Sequence, residues 1–190
     1  MGMPPAPSSR YGIQLAGEGG QGVLLAAVIL AEAAAMHDGK YAAQSASYGP
    51  EARGTLVKSE VVIHDEEIDY PHVVEADLLL AMNQDACDQY LPMLKKDGIL
   101  VVDSVNVQRV PSGRVYSIPI TRIAEEVTGR AVTANVVAVG VIVALSGAIS
   151  PGAAEAAVSA RAPKGTAELN LKALHAGLEA VRDCKRMENG

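Results

Sequence analysis

The sequence predicts an α/β protein, Rossmann-like, with a mainly parallel sheet and helices on both faces. Three observations predict it. Compact apolar runs alternate with helical patterns through the first two thirds of the chain, as right-handed βαβ crossovers require. The 190 residues include no Trp and no Phe, so the core falls to Val, Leu, Ile and Ala, which suit helix-on-sheet packing. And "YGIQLAGEGGQGVLLAAVILAEAA", residues 11 to 34, passes from an apolar strand through a glycine cluster into an apolar helix.

The elements follow in order. Residues 1–10, "MGMPPAPSSR", are Pro/Ser-rich without an apolar h-region, and read as a flexible N-terminal tail rather than a signal peptide. A single domain is expected over 11–190. Tyr11 to Ala16 is the first buried strand, and a helix runs from about Gly20 to Met36. Residues 41–46 make a second strand leading into the loop "SASYGPEARGT". Leu56 to Ile63 is strand-like, with Lys58 and Glu60 interrupting the apolar residues. "HDEEID" is a solvated turn and "ADLLLAM" a buried strand. Asn83 can cap "QDACDQYLPML", because its side chain accepts from the first free N–H groups. Gly98 ends that unit, and "ILVVDS" and "RVYSIPI" are the next strands. Helices near 121–128, 134–149 and 166–186 close the chain, with a short Ala-rich helix near 152–160.

Two helices carry more than topology. Val23 to Ala31 and Val136 to Leu145 are apolar all round, whereas a helix on the surface of a lone domain shows a polar face. Another chain is therefore expected to cover part of one of them, and the isolated chain to self-associate, for example as a homodimer. The alternative is one thick core.

Composition excludes several classes. The formal net charge is −6 and no Lys/Arg-rich run occurs, which argues against a nucleic-acid or anionic-membrane surface. The longest apolar run, "ANVVAVGVIVALSGAI", is shorter than the ~20 residues of a membrane span. Cys87 and Cys184 belong to no C-x-x-C and to no iron–sulfur spacing. Without a disulfide framework, a cytoplasmic location is expected. His37, His64, His72 and His175 suggest no metal spacing. Ser45, Ser47 and Ser104 lack a nucleophile-elbow context. No catalytic residue and no metal ligand is assigned.

Gly17, Gly19 and Gly22 fit G-x-G-x-x-G, with Gly20 and Gln21 inside the loop. Glycines let the backbone turn sharply, and a helix start offers free N–H groups to an anion. A dinucleotide fold also wants an acid ~20 residues on, for the ribose hydroxyls. Here that region reads "KYAAQSASYG", and Glu18 inside the loop would repel a pyrophosphate. A self-standing nucleotide-binding oxidoreductase is thus an alternative whose motif lacks its context. "SYGPEARGT" combines Tyr48, a Gly-Pro turn, and Arg53 beside Gly54. Exposed Tyr and Arg together resemble an interface anchor pair, and the loops after the first and second strands can share one crevice. An ordinary surface loop is the other reading.

"GEGGQGV", then "SYGPEARG", then "ADLLLAM" together resemble the gamma subunit of the 2-oxoacid:ferredoxin oxidoreductases, which oxidise pyruvate, 2-oxoglutarate or branched 2-oxoacids to acyl-CoA. "IPITRIAEEVTG", "ANVVAVGVIVAL" with Asn135 and Gly140, and "ELNLKALHAG" with Asn170 and Gly177 agree with it. One departure is Thr55, where the family commonly has a second glycine after the arginine. The resemblance implies that thiamine diphosphate, Mg²⁺ and the iron–sulfur clusters lie on partner subunits, thiamine-binding and ferredoxin-like. It implies for this chain a structural and coenzyme A-side role, inactive alone, with Gly17, Gly19, Gly20, Gln21, Gly22, Tyr48, Arg53 and Gly54 facing coenzyme A or a partner. The same domain occurs in indolepyruvate oxidoreductases, so that substrate is the alternative within the family.

Overall fold

The computed structural model describes residues 10–48 and 56–183. β1 (Tyr11–Glu18) leads through the glycine loop into α1 (Val23–Glu32), which ends in a wide turn, Ala33–His37. Then come β2 (Tyr41–Tyr48), β3 (Leu56–His64), β4 (Ala76–Ala81), α2 (Gln84–Tyr90), β5 (Leu94–Asp103) and β6 (Val115–Ile118). Four helices follow: α3 (Ile120–Thr128), α4 (Ala134–Ser146), α5 (Pro151–Arg161) and α6 (Ala167–Asp183).

The strands form one sheet in the order β2-β3-β1-β4-β5-β6. β1, β4, β5 and β6 pair in parallel, as the alternating pattern predicts. The other arm differs. β3 lies between β1 and β2 and runs antiparallel to both. The sheet is therefore mixed, though mostly parallel. β2 and β3 are joined directly, without an intervening helix, so they pair as a hairpin; only parallel neighbours need a long crossover.

Alternation along the strands sorts the core. Ile13, Leu15, Val61, Leu78, Leu80 and Val101 face a layer made of α1 and α3–α6. Ala16, Leu79, Ala81, Leu100 and Val102 face α2 on the opposite side. Lys58 and Glu60 are on this second side, where β3 lies beyond α2, and that explains the charges inside an apolar strand. Asn83 caps α2 as predicted, its Oδ1 accepting the Ala86 N–H at 2.8 Å. Gly98 does not end the preceding unit. It lies inside β5, within the register shift between Leu94 and Ile99, and a Cβ there would meet the Leu94 side chain at 2.6 Å. The helix over "QDACDQYLPML" stops at Tyr90, and Pro92 sits in a tight turn before β5. α4 ends at Ser146, with Gly147 at φ 61° closing it, so the helix is shorter than the apolar run. The expected tail and the end of the last helix fall largely on residues 1–9 and 184–190, outside the described residues.

α4 accounts for its own composition. Every residue from Ala134 to Ser146 except Ala144 is buried, within this chain alone. It needs no partner to cover it, which corrects the sequence argument for that helix. α1 differs, since Leu25 remains 42% exposed. Behind α4 lies α6, and the two cross at glycines. A Cβ on Gly140 would fall on the Leu174 carbonyl oxygen, and one on Gly177 on the Val137 carbonyl oxygen. Backbone touches backbone there, with room for hydrogen only. Gly177→Ala should therefore destabilise by about 1–3 kcal/mol or more, as overpacking of a rigid contact does. A chemical-denaturation midpoint equal to wild type would show that the crossing is not tight.

Candidate functional site

The site is built where β1 ends. Gly17 is buried beside β4, and a Cβ on it would meet Gln21 Oε1 at 2.5 Å and Met82 Cβ at 3.0 Å. Gly20 takes φ 96° and Gly22 φ 73°, left-handed values that favour glycine. Gly19 and Gly20 are exposed at the tip, and Gly22 caps α1 without any side-chain hydrogen bond. The helix predicted from about Gly20 starts three residues later, at Val23.

Gln21 organises this turn. Its backbone N–H donates to the Glu18 carbonyl at 3.1 Å. Its Oε1 accepts the Glu18 N–H at 2.7 Å, and its Nε2 donates to the Met82 carbonyl at 3.2 Å. The amide thus bridges the ends of β1 and β4, across the gap where an open α/β sheet usually receives its ligand. Two loop N–H groups that a phosphate could use are already engaged. The ribose acid is also without a place. In a dinucleotide fold it sits on a parallel strand beside β1; here that neighbour is β3, antiparallel and beginning at Leu56.

Beside the turn is a hollow of about 330 Å³, lined by Gly20, Gln21, Met82, Asn106, Thr121 and the 131–134 segment. A buried acid holds its far wall. Asp103, fully buried at the end of β5, accepts from Thr121 Oγ1 at 2.5 Å and from Asn106 Nδ2 at 2.8 Å. Asn135, on the first turn of α4, packs against Gly22 so closely that a Cβ on that glycine would meet it at 2.8–2.9 Å. Asn106, Thr121 and the segment before α4 are residues that the site reading from sequence left out. They are remote from the glycine loop in sequence; Thr121 and Asn135 had a signal, in "IPITRIAEEVTG" and "ANVVAVG", and Asn106 had none.

The sheet register brings the end of β2 and the start of β3 to the same rim. Glu18 pairs with Leu56, Gly17 with Val57, and Tyr48 with Val57. β1 and β2 end together, with the start of β3 between them. Tyr48 is the last residue of β2; Arg53 and Gly54 lie outside the described residues. On the open side of the β2–β3 arm, Glu60 is 5% exposed. Burial disfavours its charge. Lys58 at 2.5 Å, the Val73 N–H at 3.3 Å and His72 favour it more strongly, and the carboxyl titrates below its ordinary range. The bonds from Val73 and His72 fasten the segment before β4 onto the sheet. Among the described residues His64 engages only the backbone of Glu66, so "HDEEID" is the turn the sequence suggests. Cys87 is buried in α2, and burial, then the Asp88 charge, pushes its thiol up, so it packs rather than reacts.

Gln21→Ala should cost about 1–3 kcal/mol, the net worth of two hydrogen bonds of ~0.5–1.5 kcal/mol each. It should also speed hydrogen exchange at the Glu18 amide. Unchanged exchange there would mean that the side chain does not hold the turn.

The geometry can be set beside known proteins. Residues 12–180 match the family model described as pyruvate ferredoxin/flavodoxin oxidoreductase. The chain is 44% identical over 178 residues to 2-oxoglutarate synthase subunit KorC of Methanocaldococcus jannaschii, covering 92% of this chain and 95% of that protein. It is 34% identical to ketoisovalerate oxidoreductase subunit VorA of Methanothermobacter thermautotrophicus, covering 95% of this chain but 38% of that longer one. Among solved structures, the gamma subunit of a keto/oxoacid ferredoxin oxidoreductase from Geobacter sulfurreducens superposes with a TM-score of 0.85 and 47% identity, covering 93% of this chain and 99% of that one. A family match over nearly the whole chain, a relative matched from end to end and a shared fold agree: this chain belongs to the pyruvate ferredoxin/flavodoxin oxidoreductase family.

Proposed function

We propose that this chain is the gamma-type subunit of a thiamine-dependent 2-oxoglutarate:ferredoxin oxidoreductase. The assembled enzyme converts the 2-oxoacid and coenzyme A to acyl-CoA and CO2, and two electrons pass to ferredoxin. 2-Oxoglutarate is preferred over branched 2-oxoacids because identity to the KorC relative is 44%, against 34% to VorA. Thiamine diphosphate, Mg²⁺ and the iron–sulfur clusters belong, on this reading, to thiamine-binding and ferredoxin-like partner subunits. The chain acts as a single domain from residue 11 to residue 190, in the cytoplasm. A buried free Cys87 fits a reducing compartment, and no helix among the described residues is long and apolar enough to cross a membrane.

One observation carries the proposed role. The hollow beside the glycine turn is lined by amide, hydroxyl, apolar and glycine groups from the turn after β1, the residue after β4, the loop after β5, the first turn of α3 and the segment leading into α4. Such a lining can orient a bound molecule but offers it no base or nucleophile. The chain therefore positions, and the partners react. Gly17 holds Gln21, Gly20 and Gly22 shape the turn, and Gly19 presents its backbone at the tip. Because Gln21 occupies the inner N–H, charge recognition passes to the loop after Tyr48, where Arg53 and Gly54 meet an anionic group of coenzyme A. A guanidinium suits a phosphate well, by two parallel hydrogen bonds.

The isolated chain should show no 2-oxoacid oxidation with thiamine diphosphate, Mg²⁺, coenzyme A and a viologen dye; robust turnover would overturn the subunit reading. In the assembled enzyme, Arg53→Ala should raise the KM for coenzyme A with kcat retained, since the contact is made in ground and transition states alike. Folding should shift by no more than about 0.5 kcal/mol, as for surface substitutions generally. A variant that assembles and keeps the wild-type KM would remove Arg53 from the coenzyme side.

A further inference from the structure

A second concavity opens on the outer side of α4's first turn, about 190 Å³ in volume. Its walls are Leu25 and Ile29 of α1, Val136 of α4, Val158 of α5 and Leu169 of α6. The apolar surface continues beyond the cavity itself: Leu25 is 42% exposed, and Val132, on the lip, 69%. A small ligand filling the cavity would leave both of these flanks wet. A polypeptide lying over it would cover them.

The polar groups of the groove are unequal. Arg161 forks onto the carboxylate of Glu32, and Asn170 donates to Thr166. Asn135 does neither. It is only 7% exposed, lines the groove, and its amide makes no side-chain hydrogen bond among the described residues, though it is not fully shut off from solvent. Once another chain seals the groove, an amide left unpaired would be costly, so it marks a contact for that chain to make. α4 begins beside it with no side-chain cap, its Ala134 N–H donating to the Ala131 carbonyl of the preceding turn. Arg130, also on the rim, is exposed and forms no ion pair among the described residues.

We infer that this groove docks a segment of a partner subunit that inserts an aliphatic side chain between Leu25, Val132 and Leu169, gives Asn135 a backbone carbonyl, and sets a carboxylate against Arg130. The inference rests on the subunit role proposed above and names the face that role uses. It also explains the exposed side of α1: Leu25 is the residue left for another chain, while α4 offers it only its first turn. Val132 lines both this groove and the hollow beside the glycine turn, so docking and coenzyme positioning share one wall.

The test is co-expression with the thiamine-binding and ferredoxin-like subunits, with recovery of the complex quantified and folding checked by thermal melting. Val132→Glu and Leu25→Glu should reduce recovered complex at least tenfold with the melting temperature unchanged, both side chains being substantially exposed. Asn135→Leu keeps the shape but removes the amide, and should weaken association severalfold. Met36→Glu, 76% exposed at the far end of α1's terminal turn, should assemble as wild type. Normal assembly of folded Val132→Glu and Leu25→Glu would overturn the inference while leaving the subunit reading intact. So would loss of self-association alone, which would give the groove to a second copy of this chain. If wild type itself fails to assemble with the partners, the subunit reading falls first and the groove assignment with it.

Discussion

The contact on which the arrangement depends is the crossing of α4 and α6 at Gly140 and Gly177. Each glycine lies against a carbonyl oxygen of the opposite helix. That approach sinks α4 into the centre of the helical layer, where it is enclosed by α1, α3, α5 and α6. With its axis fixed, its first turn can reach only one place, the start of α1. Asn135 then meets Gly22, and the segment before α4 closes one side of the hollow beside the glycine turn. Backbone contact deep in the core thus sets the geometry of a surface site made by residues more than a hundred positions apart. Side chains interlocking at the same crossing would hold the helices farther apart, because interaxial distance follows the residues at the contact.

The sheet divides its two faces unequally. One is dry and covered by helices from end to end. The other has α2 over its middle, and over β2–β3 it has charged and polar groups. Gln14 is fully buried there, with its Nε2 near Met93 Sδ and its Oε1 without a partner. Glu60 is held ionised by neighbours on its own strand and on the segment before β4. A charge buried to this degree is stable only while its partners stay in place. The segment from His72 to Val73 is therefore part of the sheet's structure as much as the strands are.

Local features were legible in the sequence. The strand–glycine–helix unit, the Asn83 cap and the apolar α4 all follow from neighbouring residues, and the family resemblance rested on the same stretches. Nonlocal choices were hidden. Nothing in Leu56 to Ile63 says that this strand inserts antiparallel between β1 and β2, because the alternation of a strand is the same in either direction. Gly98 reads equally as a stop and as a bulge until its pairing partner is known. For the site, glycine spacing located the turn but could not show Gln21 folding back onto it, which depends on the Met82 carbonyl sixty-one residues away. The apolar helices pointed to another chain over part of one of them; α4 is buried within this chain and α1 keeps Leu25 exposed, a difference that periodicity cannot show because it does not distinguish burial by one's own chain from exposure.

The glycine crossing also sets an order on the ribosome. All six strands and α1 emerge before α4 does, yet the apolar face of the sheet has no complete cover until α6 is made. Gly177 lies in α6, the last of the described elements, so the contact that seats α4 forms only after every other described element has been made. Until then, a broad Val- and Leu-rich surface faces solvent. At ~5–20 residues per second, the stretch from β6 to the end of α6 leaves that surface open for several seconds. The growing chain is thus most adhesive between the emergence of β6 and that of α6, and its need for a chaperone is concentrated in that interval.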